Sequence, residues 1–312
     1  MPIPEFLEIE RRPKETMVWG DLPKDETFSG FKPGGPGYYI AIVYNKLDIK
    51  VKAVSSIGLD YPEEMLPPNL TLIRSKPTSE RSMVYRNIYE NGVRTQFAEL
   101  NDCSAFPTLK EISLTGFLIT ENQEILFITP LRPVSTELVS EICKNFSDST
   151  KVGLIQGWSR RIARDGKVLR RDDSLVDHDI EMIKGDFDII IFSDEDIINA
   201  LFYGKKWSMA KNDKKAPIVV VTENIEGCTI FINGKGEHLP AYKIGQINDP
   251  TGAGDRFAAF FAFMYRITGN PIYSARFANA GTAYALHHGN NSIQLEEIFN
   301  FAGDLWNSST KQ

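Results

Sequence analysis

Asp249-Pro250-Thr251-Gly252-Ala253-Gly254-Asp255, continued by Arg256-Phe257-Ala258-Ala259-Phe260-Phe261-Ala262-Phe263-Met264-Tyr265, decides the reading of this chain. The second half is apolar on nearly every side, which marks a buried helix rather than a surface one. The glycines therefore stand at the N-terminus of a buried helix. There the first backbone N–H groups have no partner one turn back, and the helix dipole is positive. Glycine lets the chain bring several such groups close to an anion. Asp255, at the end of the loop, is placed to accept the proton of an attacking hydroxyl. Phosphoryl transfer requires positioning, charge neutralisation and an oriented nucleophile, and this loop can supply all three. Taken alone, the stretch reads more often as a capped helix start whose acidic side chain complements the dipole. It is not a Walker A loop, since no Gly-Lys-Ser/Thr follows, and Gly-x-Gly-x-x-Gly is absent.

Around this loop, short apolar strands alternate with helical stretches. The pattern predicts strands over Leu114–Ile119, Ile125–Ile128, Val152–Ile155, Ile189–Phe192, Ile218–Thr222 and Thr229–Ile232. It predicts helices over Thr136–Lys144, Asp177–Lys184, Asp194–Leu201, Asp255–Thr268, Ile272–His287 and Leu295–Asn307. Such alternation implies an α/β fold with a doubly wound, mostly parallel sheet and helices on both faces. Ile189–Phe192 and Ile218–Val221 are continuous apolar runs, as a sheet covered on both faces requires. Toward the N-terminus, residues 1–14 read as a polar arm, Glu15–Gly20 as a strand, Phe31–Gly37 as an irregular segment, Tyr38–Lys46 as a helix and Ile49–Ile57 as a strand. Asn91-Gly92 between the β-rich runs 81–90 and 93–97 predicts a hairpin outside the main sheet.

The composition fits an ordinary globular protein. Of 312 residues, 42% are hydrophobic and 24% charged, which argues against disorder. The net charge of −6 gives no electrostatic reason to expect nucleic acid or a membrane surface as the main partner. Cys103, Cys143 and Cys228 form neither a disulfide framework nor a zinc spacing. No apolar run approaches the length of a membrane span and no secretory leader opens the chain, so the expected location is the cytoplasm. The dispersed histidines and the lack of a Gly-x-Ser-x-Gly elbow leave metal-histidine and hydrolase readings without support.

Asp-Pro-Thr-Gly-Ala-Gly-Asp before a buried helix resembles the C-terminal signature of the ribokinase-like, or PfkB, carbohydrate kinases. The resemblance runs from about residue 15 to the C-terminus. It implies one ribokinase-like α/β domain over 1–312, with a small β lid built from about 25–33 and 78–100. It also implies ATP and Mg2+ as cofactors, and a small sugar or polyol as acceptor. Asp255 would be the base, with the backbone of Gly252, Ala253 and Gly254 stabilising the transferred group. Gly34-Gly35 before Pro36-Gly37-Tyr38-Tyr39 resembles the family's N-terminal glycine pair against the sugar. Gly20 followed by Asp25 has the spacing of its first strand end and sugar-binding aspartate. Val219–Thr222 and Gly227 resemble the strand and turn beneath the nucleotide. Thr222, Gly227, Thr251, Gly252, Gly254 and Asn279 are the expected nucleotide contacts. Asp25, Gly34, Gly35, Tyr39, Arg160 and Asp255 are the expected acceptor contacts. Asp25 also reads as a solvated turn acid, Thr222 as a plain strand end, and Arg160 as part of a basic turn with Arg161 and Arg164.

Ile155-Gln156-Gly157-Trp158-Ser159-Arg160 resembles the myo-inositol kinase branch of archaea and plants, which tilts the acceptor toward a cyclic polyol. A nucleoside acceptor, or a catalytically idle regulatory paralogue, are the alternatives. The sequence leaves the oligomeric state open, although exposed apolar strands in the lid would make a homodimer reasonable. The chain departs from the family at several points. Ser193-Asp194-Glu195-Asp196 replaces the usual Asn-x-x-Glu, leaving Ser193 and Asp196 as indirect magnesium contacts. Asn224 replaces a glycine, Arg256 a small residue, and Phe260 a helix glycine.

Overall fold

The computed structural model describes residues 12–75, 80–90, 93–100, 106–116, 123–210, 215–242, 245, 247, 249–289 and 293–302. The strands are β1 (Glu15–Gly20), β2 (Lys24–Thr27), β3 (Gly30–Pro33), β4 (Lys50–Ser55), β5 (Leu70–Arg74), β6 (Val84–Glu90), β7 (Val93–Glu99), β8 (Ile125–Thr129), β9 (Thr150–Leu154), β10 (Arg160–Ile162), β11 (Val168–Arg170), β12 (Ile189–Ser193), β13 (Ile218–Thr222), β14 (Gly227–Ile232) and β15 (Lys235–Pro240). The helices are α1 (Gly35–Lys46), α2 (Leu109–Ser113), α3 (Thr136–Asn145), α4 (Asp173–Ile183), α5 (Ala200–Trp207), α6 (Ala253–Thr268), α7 (Pro271–His288) and α8 (Leu295–Ala302).

The main sheet has the order β15-β14-β13-β12-β9-β8-β1-β4-β5. Neighbours from β13 to β5 pair in parallel, and β14 and β15 close one edge antiparallel. The chain thus has the expected doubly wound α/β fold. Its strands send alternate residues to two cores. On β1, Val18 joins the core beneath α1, α6, α7 and α8, whereas Met17 and Trp19 join the one beneath α2, α3, α4 and α5. On β13, Val220 faces the first core, and Val219 and Val221 the second. This is why those strands read as unbroken apolar runs: both faces are dry.

The chain starts at β1, winds outward through β4 and β5, then returns to β8 on the other side of β1. The winding therefore reverses between β1 and β8, and in open α/β sheets a crevice forms at the strand C-termini at such a point. A second sheet, β3-β2-β6-β7, lies apart from the first. Within it β6 and β7 pair antiparallel, with Asn87 opposite Gln96. The Asn91-Gly92 turn itself lies outside the described residues, as do Cys103 and the residues beyond Ala302.

Three expectations need correction. No strand begins at Leu114: Leu109–Ser113 is helical, Leu114–Gly116 is a turn, and 117–122 lie outside the described residues. The cause is a capping box, in which Thr108 Oγ1 accepts from the Glu111 N–H at 3.2 Å while Glu111 accepts from the Thr108 N–H at 2.8 Å. The helix expected at Asp194 starts at Ala200, because residues 193–196 close into a tight turn. Finally, the segment expected to be irregular over Phe31–Gly37 holds the end of β3, which pairs with β2 up to Pro33, and α1 starts at Gly35 rather than Tyr38, with Pro36 in its first turn, where a missing N–H costs nothing.

Phe260 is fully buried in α6, and α7 makes room for it with a glycine. A Cβ on Gly281 would lie 2.8 Å from the Phe260 ring. Gly281→Ala should therefore lower stability by about 1–3 kcal/mol through overpacking. The cost should largely vanish in a Phe260→Ala background. Thermal unfolding of the four proteins checks this, and an equal cost in both backgrounds would contradict the pairing.

Candidate active site

The crevice at the reversal point is lined from several chain segments. Asp25 enters from β2, Gly35 and Tyr39 from α1, Gln156 and Arg160 from the segment after β9, and Thr251, Gly252 and Asp255 from the start of α6. Seven residues singled out in the sequence thus meet in one place.

One wall of the crevice begins where β1 ends. A Cβ on Gly20 would fall 1.9 Å from Thr129 Oγ1, so the two strands leave the sheet in close contact. Asp21, buried just beyond, accepts the Leu131 N–H at 2.8 Å and lies 3.4 Å from Arg132. Burial raises its pKa. Asp25 follows, buried, its carboxyl laid against the backbone of Gly34. A Cβ there would sit 2.3 Å from the Asp25 carboxyl carbon, so only glycine fits. Gly35 has φ of +77°, and a side chain at 35 would also strike Pro23. The Tyr39 hydroxyl donates to Asp25 Oδ2 at 3.2 Å. Burial raises the Asp25 pKa to about 6, against the pull of Lys32 and the Tyr39 bond.

The opposite wall is the glycine turn. Gly252 has φ of +76° and caps α6 in the left-handed conformation. Its missing side chain is filled by Tyr39: a Cβ would lie 2.4 Å from that ring. The Ala253 N–H is already engaged, donating to the Pro250 carbonyl at 3.0 Å, and so is that of Arg256, on the Gly252 carbonyl at 3.0 Å. Gly254 and Asp255 lie between them, in the first turn, where amides have no intrahelical acceptor. A Cβ on Gly254 would meet nothing within 4 Å, so glycine there leaves open space beside the turn.

Asp255 is half-buried and lines the crevice. Desolvation raises its pKa to about 7, opposed by Arg256 and Arg160 and reinforced by Asp25 and Asp196. A carboxylate with that pKa is suited to general-base work near neutrality. Arg160 is buried on β10, with Nη2 3.9 Å from Asp196 Oδ1. Asp196 Oδ2 in turn accepts the Ser193 N–H at 3.1 Å.

Gly34, Ala253 and Gly254 adjoin the crevice in sequence without being among its lining residues, and three expected nucleotide contacts do not line it either. Thr222 stands at the end of β13, its hydroxyl donating to the Phe192 carbonyl at 3.3 Å. Gly227, with φ of +110°, starts β14 and lies against Leu239 and Ala241 backbone. Asn279 is buried in α7 and donates to the Leu239 and Pro240 carbonyls at 3.1 and 3.2 Å, tying that helix to β15. Ser193 likewise lies outside it, in the turn with Asp196. Asp194 and Glu195 both accept from the Asn224 amide, at 3.3 and 3.2 Å. Among the described residues, no three His, Cys, Asp or Glu side chains gather closely enough to cage a metal ion.

The crevice also holds polar residues that sequence reasoning missed. Asn87 and Gln96 line it from the small sheet, Gln96 Nε2 donating to Asn87 Oδ1 at 2.9 Å. Gln156 adds a third amide. The signal was available. A two-residue Asn-Gly turn pairs 90 with 93, hence 87 with 96, and period-two alternation puts Asn87 on the same face as Tyr85.

Comparison with known proteins agrees with this architecture. The family model of pfkB family carbohydrate kinases matches residues 180–297. No curated protein matches. Among solved structures, a pyrophosphate-dependent kinase of the ribokinase family, complexed with a pyrophosphate analog and myo-inositol, is similar at TM-score 0.65 and 18% identity, over 88% of this chain and 96% of that one. The nucleoside kinase of Methanocaldococcus jannaschii is similar at 0.63 and 14%, over 93% and 98%. Ribokinase of Arabidopsis thaliana, complexed with ribose and ATP, is similar at 0.63 and 14%, over 94% and 99%.

The raised pKa of Asp255 has a consequence for stability. Its folded value, about 7, lies above the ordinary 3.8, so the folded protein binds the extra proton and wild-type stability is lost as pH rises between the two. Asp255→Asn removes that loss. Its melting temperature relative to wild type should rise steadily from pH 4 to pH 7, and a difference independent of pH would contradict the assigned pKa. The chain has a ribokinase-like fold, and its segment 180–297 matches the family model of pfkB family carbohydrate kinases.

Proposed function

We propose that this chain transfers the γ-phosphoryl group of ATP to a hydroxyl of a sugar or cyclic polyol, a myo-inositol-like acceptor being favoured. The observation that carries the reading is Asp255: a carboxyl with a pKa of about 7, at the N-terminus of a buried helix, facing a crevice rich in hydrogen-bonding groups. Asp255 takes the proton from the acceptor hydroxyl as its oxygen attacks phosphorus. The first-turn amides of Gly254 and Asp255 face the developing charge, helped by the positive end of α6. Gly252 and Ala253 shape the turn that aims them. Asp25, Gly34, Gly35, Tyr39 and Arg160 hold the acceptor. The small sheet closes over it as a lid and keeps water from the phosphoryl group.

The amides of Asn87, Gln96 and Gln156 favour a polyhydroxylated acceptor, since each offers both donors and an acceptor. The Tyr39 ring is covered by Gly252 and by the Arg256 guanidinium, so that ring is not open for a base to stack on. On the nucleotide side, Thr222, Gly227, Thr251 and Asn279 are proposed to border the donor. Magnesium supplies charge neutralisation on the phosphates. The 193–196 turn offers hard oxygen atoms, and magnesium commonly keeps several waters between itself and such groups.

A coupled ADP-release screen over inositols, pentoses, hexoses and nucleosides with magnesium–ATP tests the proposal, with pyrophosphate as an alternative donor. Turnover should require a polyol and should rise with pH through about 7, where Asp255 becomes an ionised base. Asp255→Asn should lower kcat by about 10²–10⁴-fold with little change in nucleotide affinity. Undiminished turnover in that variant would sink the assignment.

A further inference from the structure

Arg256 stands immediately after Asp255 and is buried. A buried guanidinium is costly unless its donors and its face are both used. Here both are. Its central carbon lies 4.8 Å from the centre of the Tyr39 ring. Nη1 donates to the Thr251 carbonyl at 2.7 Å. That carbonyl belongs to the peptide leading into Gly252, so holding it fixes the plane from which the left-handed turn departs. Tyr39 in turn reaches Asp25 through its hydroxyl.

We propose that Arg256 is a positioning residue that locks the glycine turn carrying Asp255 onto the Tyr39–Asp25 pair of the acceptor side. The inference rests on the kinase reading above and deepens it. A planar guanidinium can stack on a ring and donate in its own plane at once, which an ammonium cannot. The stack therefore makes two walls of one crevice move as a single body. The charge has a second effect. Asp255 is faced by Arg256 on its own helix, Arg160 from β10, Asp25 from β2, Asp196 from the turn after β12, and the Tyr39 hydroxyl from α1. Of these, Arg256 pulls its pKa down most strongly against burial.

The test compares wild type, Asp255→Asn, Arg256→Met, Arg256→Lys, Tyr39→Leu and the Arg256→Met/Tyr39→Leu double variant. It reads kcat, both KM values and the pH profile. Each Arg256 variant should lose about 10- to 100-fold in kcat through misplacement of the base, with the nucleotide KM near wild type. Arg256→Met should move the acid limb to higher pH, whereas Arg256→Lys, which keeps the charge, should leave it in place. The double variant should be no slower than the slower single one, because both substitutions break the same stack. Should circular dichroism show that Arg256→Met fails to fold, the Lys variant decides by the same loss of kcat. Wild-type kcat in either folded Arg256 variant, beside an inactive Asp255→Asn, overturns the inference alone. A wild-type protein with no turnover across the acceptor and donor panel overturns the kinase reading and this inference with it.

Discussion

The contact between the Tyr39 ring and the backbone of Gly252 is the constraint on which the site depends. Two helices, α1 and α6, begin side by side only because glycine at 252 leaves room for that ring. A second close fit, Gly34 against Asp25, lies within one wall and holds the start of α1 against β2. The buried apolar face of α6 holds this arrangement rigidly from beneath. A side chain at 252 would meet the Tyr39 ring, so the two helix starts could not approach as closely.

From that close fit the electrostatics follow. Packing the walls together removes water from Asp25 and Asp255 and raises both pKa values. Arg256 and Arg160 oppose the rise at Asp255, and Lys32 with the Tyr39 hydroxyl opposes it at Asp25, which keeps Asp255 near the point where a proton can move either way around neutrality. The site thus carries a folding cost that a pair of ordinary exposed aspartates would not. The turn at the end of β12 is differently built. Asp194, Glu195 and the bonded pair Ser193–Asp196 place several oxygen atoms there, and Asp194 and Glu195 accept from the Asn224 amide.

Much of this was legible in the sequence. The apolar run 257–264 announced a buried helix, Ile189–Phe192 announced a doubly covered strand, and Gly252-Ala253-Gly254-Asp255 announced the crevice. These are local patterns, and their physical causes are local. Elements governed by a cap or a turn were harder. Thr108 and Glu111 turned an expected strand into a short helix, and the Ser193–Asp196 turn delayed α5. Hardest were contacts between distant segments. Arg256 read as a departure from a pattern, and nothing near it in sequence pointed to Tyr39. Phe260 reads the same way, and only the fold brings Gly281 to face it. The Asn87–Gln96 pair lay between these extremes, since hairpin register placed it without long-range information.

The central claim is that Asp255 is an ionisable base poised near neutrality by burial between the two helix starts. A carboxyl carbon-13 NMR titration of aspartate-labelled protein measures this directly, with Asp255→Asn identifying the resonance. The account predicts an inflection near pH 7 for that one carboxyl. An inflection at the ordinary aspartate value, about 3.9, would contradict it.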